Sequence, residues 1–405
     1  MAQAWGALPL ARRARRLGVS PTVAMAARAR ALRETGVRVL DFTVGEPDQP
    51  TPPHVVEAGR SAIAAGRTRY APAAGLPQLR SAVAHRYRED FGLRIAPEEV
   101  VVTVGGKQAL ALFYQAVLDR GSEVVVPVPA WPTFAEAARV AGGTPVLVRL
   151  SERSGFRISA RAVAQAVSRR TRAVVINSPS NPTGAVVDPS ELLRIAALAR
   201  RHGFWLVYDD TYAHLVFDGQ PPPALQAVRE AAAGALVVVG TVSKSYSMTG
   251  WRVGWVIGPA ALVEAATALN SHSVQGPATF SQLAAAEALT ASQEPLRAMA
   301  AEYRRRRDFI HSRVAALPGV RCTRPGGGFY VFPDVTRALT REVPDTLTLA
   351  TRLLDETSVA VVPGEGFHAP GFFRLSFAAA PVDLEEGARR LAAFFDRHAP
   401  ARGRA

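Results

Sequence analysis

Residues 236–254 read LVVVGTVSKSYSMTGWRVG, an apolar run followed by a polar loop that contains one lysine. The first four residues have no polar face, which is typical of a central strand in a parallel sheet covered by helices. Lys244 and Arg252 follow this run, so we expect both at the carboxyl edge of the sheet, where open α/β sheets bind ligands. With the hydroxyls of Thr241 and Ser243, Arg252 can hold a phosphate beside the lysine amine.

Five further apolar runs predict a mostly parallel sheet around this stretch. Helical patterns separate most of them, as in α/β folds. We therefore predict a large α/β domain over residues 47–285. The runs lie at residues 100–104, 124–128, 173–176, 205–208 and 253–257.

The remaining sequence predicts a smaller α+β domain, formed by residues 1–46 and 286–405. Residues 279–316 read as one helix, and two more helices are expected near residues 346–356 and 383–397. Short strands are expected at residues 328–332, 359–362 and 373–377.

Lysine is almost absent from this basic chain. Of the 48 Lys and Arg residues, all but Lys107 and Lys244 are arginine. Either cation serves on a solvated surface, but only a primary amine can lose a proton and attack a carbonyl group. Both lysines are therefore candidate functional residues.

Two other motifs indicate anion binding. In residues 102–110, VTVGGKQAL, a predicted strand ends at Gly105 and Gly106 and a helix begins, so backbone N–H groups and the helix dipole face an anion. Arg374 is a lone charge in the apolar strand pattern FFRLSF, where an unpaired guanidinium is costly and needs an anionic partner.

Adjacent acids follow the predicted strand at residues 205–208. Asp209 and Asp210 both lie at the sheet edge, and Tyr212 follows. Either acid can also serve only to cap a helix. Residues 177–184, NSPSNPTG, form a loop after the neighbouring strand, rich in turn residues.

These motifs, in this order, resemble the class I/II aminotransferases that depend on pyridoxal 5′-phosphate (PLP), most closely the bacterial aspartate aminotransferase subgroup. The resemblance extends from about residue 20 to residue 397. It implies the α/β architecture of fold type I PLP-dependent transferases, with a large domain built on a mainly parallel sheet and a smaller α+β domain. It also implies a homodimer with its active site at the subunit interface.

By this resemblance, Lys244 is the catalytic residue that carries PLP as a Schiff base. Asp209, favoured over Asp210 by its spacing to Tyr212, holds the pyridine nitrogen protonated. Tyr212 and Asn181 contact the 3′-oxygen, and Tyr70 reaches the phosphate of the partner subunit. The implied cofactor-binding residues are Gly105, Gly106, Lys107, Trp131, Asn181, Asp209, Tyr212, Thr241, Ser243, Arg252 and Tyr70.

The resemblance also implies how the substrate is bound. Arg374 pairs with the α-carboxylate of the amino acid, and Lys107 meets the distal carboxylate of aspartate or glutamate. Gly45 belongs to a segment that closes on the substrate. The implied substrate-binding residues are Gly45, Lys107, Trp131, Asn181 and Arg374.

We therefore expect a ping-pong transfer of an α-amino group, from an amino acid of the aspartate or glutamate type to a 2-oxo acid such as 2-oxoglutarate. Aromatic acids or prephenate are alternative substrates. Lyases, cyclases and amino-acid oxidases that share these motifs are an alternative class, because PLP stabilises a carbanion whose fate the pocket decides.

Composition argues against several other classes. The net charge of +14 permits nucleic-acid binding, but the arginines are scattered rather than clustered in a stripe. The residues before Ser20 are too few for the DNA-binding domain of a transcriptional regulator, and they lack the apolar core of a signal peptide. The single cysteine, Cys322, provides no disulfide framework or cysteine-rich metal site. We expect a cytoplasmic protein that spans no membrane.

If Lys244 carries the cofactor, the purified protein is yellow, and borohydride bleaches its visible absorption band. Mass spectrometry of the reduced protein then finds the pyridoxyl group on Lys244, and a Lys244→Arg variant is colourless. An adduct on Lys107 would contradict the assignment.

Overall fold

The computed structural model describes residue 11 and residues 21–398. The expectations for the N-terminal region before Ser20 concern residues that, apart from residue 11, lie outside this description.

A seven-stranded sheet forms the centre of the larger part of the chain. Its strand order is β2-β8-β7-β6-β5-β3-β4. All neighbours are parallel except β8, which lies antiparallel to both β2 and β7. The predicted α/β class with a mainly parallel sheet is confirmed. The strands are β2 (Val100–Thr103), β3 (Glu123–Val128), β4 (Thr144–Arg149), β5 (Thr171–Asn177), β6 (Trp205–Asp209), β7 (Leu236–Thr241) and β8 (Gly254–Ile257).

Helices cover both faces of this sheet. Two apolar clusters, one on each face, contain alternate residues of the strands, because successive side chains of a strand point to opposite sides. The helices of this part are α2 (Pro53–Ala64), α3 (Pro77–Phe91), α4 (Gly105–Val117), α5 (Thr133–Val140), α6 (Ala160–Ala166), α7 (Pro189–His202), α8 (Leu225–Ala231), α9 (Ala260–Ser271) and α10 (Thr279–Thr290).

A smaller α+β part has its own apolar cluster, which includes Phe42, Tyr303 and Leu353. A parallel pair, β1 and β10, lies beside an antiparallel sheet of order β11-β12-β9. Its elements are α1 (Pro21–Glu34), β1 (Leu40–Asp41), α11 (Glu294–Ala315), β9 (Tyr330–Val331), α12 (Thr346–Thr357), β10 (Val359–Ala360), β11 (Val362–Pro363), β12 (Phe373–Ser376) and α13 (Pro381–His398).

The division of the chain at residues 47 and 285 stays a prediction. Residue 285 falls inside α10, and the buried residues Ala288 and Leu289 of this helix still belong to a cluster of the larger part. Met299 on α11 belongs to the cluster of the smaller part.

Two predicted elements had wrong bounds, and one strand was not predicted. The helix expected over residues 279–316 is interrupted between α10 and α11, where Ala291 is extended and a proline follows Glu294 at the start of α11. The strand expected over residues 359–362 is divided between β10 and β11, which belong to different sheets. Strand β4, which lies at the sheet edge and is only half-buried, was missed because its apolar residues 146–148 form a shorter run between Pro145 and Arg149.

Among the described residues, no helix combines the length and apolar character needed to cross a membrane. The same residues contain no group of three or more His, Cys, Asp or Glu side chains arranged to hold a metal ion.

Candidate active site

A cavity of about 300 Å³ opens at the carboxyl edge of the central sheet, where β5, β6 and β7 end. It brings together residues from distant parts of the chain, and most of them are residues that the sequence singled out. The predicted residues that line it are Gly45, Gly106, Lys107, Trp131, Asn181, Asp209, Tyr212, Thr241, Ser243, Lys244, Arg252 and Arg374.

One end of the cavity is formed by the start of α4 and the loop before β8. Gly105 has φ +77°, and a Cβ atom there would lie 2.3 Å from Nη2 of Arg252. A Cβ atom on Gly254 would lie 2.6 Å from the carbonyl carbon of Gly105. Arg252 donates to the carbonyl oxygens of Val104 at 3.3 Å and Thr249 at 2.8 Å. Glycine at both positions therefore allows a guanidinium to lie beside a helix N-terminus, an arrangement suited to a phosphate.

Two hydroxyls from the end of β7 complete this end of the cavity. Thr241 donates to the carbonyl oxygen of Val253 at 2.7 Å, and its Oγ1 lies 2.8 Å from Oγ of Ser243. Both hydroxyl side chains are buried and held in place by these contacts.

Lys244 lies in the cavity with its amine facing the N-terminal segment. Its Nζ donates to the carbonyl oxygen of Gly45 at 2.5 Å. Burial lowers the pKa of Lys244 to about 8; among its neighbours, Glu46 acts to raise this pKa and Arg252 to lower it. At this pKa about a tenth of the amine is neutral at pH 7, and the neutral amine is the form that a nucleophile or general base requires.

The adjacent acids face different surroundings. Asp209 lines the cavity, where its Oδ1 accepts from the side-chain amide of Asn177 at 2.9 Å and from the backbone N–H of Thr211 at 3.2 Å. Burial raises its pKa to about 6. Asp210 does not line the cavity, and its carboxyl group is hydrogen-bonded to Tyr87. Burial raises the pKa of Asp210 to about 8.

Arg374 is 3% exposed in the middle of β12. Its guanidinium donates to Oδ1 of Asn181 at 3.0 Å and to the carbonyl oxygen of Thr43 at 2.7 Å, and lies 4.4 Å from the ring centre of Tyr330. Its Nε has no hydrogen-bond partner, and none of the described acids forms an ion pair with it. The group therefore retains a donor and a full charge for an anion in the cavity.

Lys107 and Trp131 face each other at the cavity, with Nζ of the lysine 5.3 Å from the ring centre. Lys107 is exposed in the single chain. Tyr70 is 94% exposed and lines a different cleft, beside Val274 and Gln275, so one chain alone does not bring it to Lys244. Gly105 supports the cavity from behind rather than lining it.

Five lining residues were missed by the sequence reasoning. Tyr330 is the most informative, because its hydroxyl lies 2.9 Å from that of Tyr212 and a Cβ atom on Gly45 would lie 2.7 Å from it. No local pattern marks it, since it lies in an apolar run. Asn177 lies in the loop motif already noted, and only its bond to Asp209 reveals its role. The missed residues are Thr43, Phe134, Asn177, Thr211 and Tyr330.

Residues 37–391 match the family model described as aminotransferase class I and II. The chain belongs to this family. It is 44% identical to the aspartate/prephenate aminotransferase of Thermus thermophilus over 96% of this chain and 99% of that protein. It is 37% identical to the aspartate aminotransferase of Geobacillus stearothermophilus over 97% of this chain and all of that protein.

Solved structures of aminotransferases agree with this membership. The structure of aspartate aminotransferase from Thermus thermophilus with maleate has a TM-score of 0.89 and 42% identity, over 95% of this chain and 99% of that one. The structure of aspartate aminotransferase from Rhizobium meliloti has a TM-score of 0.92 and 35% identity, over 96% of this chain and 99% of that one. The protein is accordingly an amino-acid aminotransferase with the fold of type I PLP-dependent transferases, and the lyase, cyclase, oxidase and regulator alternatives are set aside.

In this aminotransferase, Asp209→Asn should lower kcat by about two or more orders of magnitude, since a neutral amide cannot hold a pyridinium in its protonated form. Asp210→Asn should change kcat less than about threefold, because Asp210 lies outside the cavity and is already mostly protonated at neutral pH. Steady-state kinetics of both variants tests this. A larger loss in Asp210→Asn would mean that the roles of the two acids are exchanged.

Asp210 should also make stability depend on pH. Its folded-state pKa of about 8 lies above the ordinary value of 3.8, so the folded protein binds this proton more tightly than the unfolded chain. Its contribution to stability therefore falls as pH rises from about 4 to about 8 and is constant above that range. Between pH 6 and pH 8 the melting temperature of the unmodified protein should fall relative to that of Asp210→Asn. If the melting temperatures of the two proteins change in parallel with pH, the raised pKa of Asp210 is contradicted.

Proposed function

We propose that this aminotransferase carries PLP on Lys244 and transfers the amino group of aspartate or glutamate to a 2-oxo acid such as 2-oxoglutarate. The observation that carries the proposal is the charge of the cavity. Four cations line it, none of them paired with an acid among the described residues, whereas Asp209 is the single acid in its lining. A phosphate and a dicarboxylate are the ligands that match this charge. The cations are Lys107, Lys244, Arg252 and Arg374.

The residues fit PLP at every part of the molecule. The N-terminus of α4, Ser243, Thr241 and Arg252 would hold the phosphate. Asp209, buried with no cation beside it among its hydrogen-bond partners, would hold the protonated pyridine nitrogen. When bound, PLP supplies an aldehyde and an electron-withdrawing ring that stabilises negative charge at the α-carbon of the substrate.

Three other side chains would orient the ring. Trp131 lies at the cavity wall, where its indole can stack on a flat heterocycle. Asn181 and Tyr212 would contact the 3′-oxygen. Tyr212 is buried with its hydroxyl 2.9 Å from that of Tyr330, so its position is restrained before any ligand binds.

Lys244 would move the proton that transamination transfers. Its pKa of about 8 would let Nζ accept the α-proton of the amino acid and release it again as a general acid. The contact of Nζ with the carbonyl oxygen of Gly45 keeps the amine between the N-terminal segment and the cavity.

Arg374 would bind the α-carboxylate of the substrate. A buried guanidinium already oriented by Asn181 and Thr43 loses little conformational freedom when it forms a bidentate ion pair. Gly45 lies beside this site, where any side chain would collide with Tyr330.

Lys107 would select for a second, distal carboxylate. It is one of two lysines in a chain that otherwise uses arginine, and it lies at the cavity beside Trp131 rather than on an indifferent surface. A compact ammonium on a flexible stem reaches a carboxylate where a larger guanidinium would crowd the cofactor. Prephenate is a second candidate substrate, because the name of the Thermus relative includes it and it also carries two carboxylates.

A homodimer would complete the site. Tyr70 is almost fully exposed and lies on a cleft of about 620 Å³ with the exposed Val274, a surface suited to a second subunit. The Tyr70 hydroxyl of one subunit would then reach the phosphate bound by its partner.

The purified protein should sediment at twice the mass of one chain. Tyr70→Phe should bind the cofactor more weakly than the unmodified protein, because it loses the hydroxyl that contacts the phosphate. A cytoplasmic dimer accords with the single cysteine, Cys322.

Lys107→Ala should raise KM for aspartate and glutamate and leave turnover of alanine and phenylalanine nearly unchanged. A charge-assisted hydrogen bond of ordinary strength corresponds to a change of about tenfold to a hundredfold in the preference for acidic over neutral substrates. Lys107→Arg retains the charge and serves as the matched control for geometry. If both variants keep the unmodified ratio of aspartate to phenylalanine turnover, the acidic-substrate proposal fails and the aminotransferase assignment stands.

A further inference from the structure

Behind the loop that carries Lys244, three polar side chains form a hydrogen-bonded connection that the proposed reaction does not use. Nε2 of His214 lies 2.9 Å from Oδ2 of Asp90, and Nδ1 lies 3.2 Å from Oγ of Ser245. We call Asp90, His214 and Ser245 the His214 bridge. It joins the last turn of α3, the segment after β6 and the loop after β7.

The charge of Asp90 determines the direction of its hydrogen bond to His214. Asp90 forms an ion pair with Arg86 at 2.8 Å. Burial acts to raise the pKa of Asp90, but His214 and Arg86 together lower it overall. An ionised carboxylate only accepts, so Nε2 of His214 donates to Asp90, and Nδ1 lies within hydrogen-bond distance of the hydroxyl of Ser245.

The surroundings protect the bridge from water. Ser245 is 3% exposed, and the side chains of Asp90 and His214 are 22% and 26% exposed. The rings of Phe91 and Tyr246 lie 6.3 and 6.1 Å from the imidazole, centre to centre. Hydrogen bonds in such partly dry surroundings hold their geometry better than bonds on an open surface.

The bridge is not a hydrolytic site, although it contains serine, histidine and an acid. In serine hydrolases Nε2 faces the serine and Nδ1 faces the acid, whereas in the His214 bridge the two nitrogens are exchanged. Ser245 is also buried and does not line the cavity, so no substrate reaches its hydroxyl.

We propose that the His214 bridge positions Lys244 relative to Tyr212. Ser245 follows Lys244 directly, and His214 lies two residues after Tyr212, so a single hydrogen bond joins the two segments that carry the site residues. Asp90 then ties both segments to α3. Misplacement of a reacting group by about 1 Å can lower a rate by about a hundredfold, so such a connection has a direct effect on the reaction. The inference rests on the proposed roles of Lys244 and Tyr212.

Two variants break the bridge without removing a charge from the cavity. Ser245→Ala removes the hydroxyl, and His214→Gln keeps a polar group near Asp90 but loses the contact with Ser245. Each should lower kcat about threefold to tenfold with KM nearly unchanged, the effect of one hydrogen bond of ordinary strength. Each should also shift the pH midpoint of the visible band of the cofactor by about 0.4 to 1 pH unit. The double variant should be no worse than either single one, because both remove the same contact.

His214→Asn and Ser247→Ala are the matched controls. Asn keeps a polar group on the side of Ser245, so it should recover part of the lost kcat. Ser247 lies in the same loop, but its side-chain hydroxyl contacts the sulfur of Met299 at 3.7 Å instead of the bridge, so Ser247→Ala should leave kcat and the pH midpoint unchanged. Melting temperatures check that all variants are folded.

An unchanged pH midpoint and kcat in Ser245→Ala, or losses that add in the double variant, would overturn the positioning role. A different measurement shows whether the proposed function itself is wrong: borohydride would then label the unmodified protein at a residue other than Lys244. If borohydride labels Lys244 but the bridge variants change neither kcat nor the pH midpoint, only the positioning role of the His214 bridge is rejected.

Discussion

Unpaired positive charge at the carboxyl edge of the sheet is the constraint to which the rest of the structure responds. Four cations meet in one cavity of about 300 Å³ whose lining contains a single acid. Like charges held close together oppose folding. At Lys244, burial and the neighbouring cations Arg252, Arg374 and Lys107 lower the pKa. The chain positions them from three places: Lys107 lies on α4, Arg374 on β12, and Lys244 and Arg252 on the loop between β7 and β8. Anionic ligands then offset the repulsion, so the electrostatic cost in the free protein favours binding of the cofactor and substrate.

The antiparallel strand β8 brings together the end of this cavity that contains Arg252 and the N-terminus of α4. It lies between β2 and β7, so the chain must reverse after β7, and the reversing loop carries both Lys244 and Arg252. Gly254 is the first residue of β8, and a Cβ atom on it would lie only 2.6 Å from the carbonyl carbon of Gly105. A side chain there would separate the loop from the N-terminus of α4 and move the guanidinium away from the helix end. Two glycines distant in sequence thus determine one binding surface.

The site residues that the sequence could predict are those whose type is rare in this chain or unusual in its local pattern. Lys244 is one of two lysines, and Arg374 is a charge inside an apolar strand pattern. Tyr330 could not be found in this way, because an aromatic residue in an apolar run resembles ordinary core, and only its contact with Tyr212 distinguishes it. The fold class followed from apolar runs, whereas the half-buried edge strand β4 depended on tertiary position. The proline at the start of α11 was a local signal of the helix break that the prediction did not use. The contact of Tyr70 with a partner remains a prediction, since it concerns a second chain.

Helix α3 supports the reacting residues from the side away from the substrate. Asp209 and Asp210 are consecutive at the end of a strand, so their side chains point to opposite faces: one into the cavity and the other to Tyr87 on α3. Lys244 and Ser245 repeat this arrangement, with the lysine in the cavity and the serine joined through His214 to Asp90, three residues after Tyr87 on the same helix. Tyr87 also accepts from the indole N–H of Trp255 on β8 at 2.9 Å. One turn of α3 therefore contacts Asp210 after β6 and Trp255 on β8 directly, and reaches the loop that carries Lys244 through His214. Because all three segments are connected to α3, the packing of this helix against the sheet contributes to their relative positions.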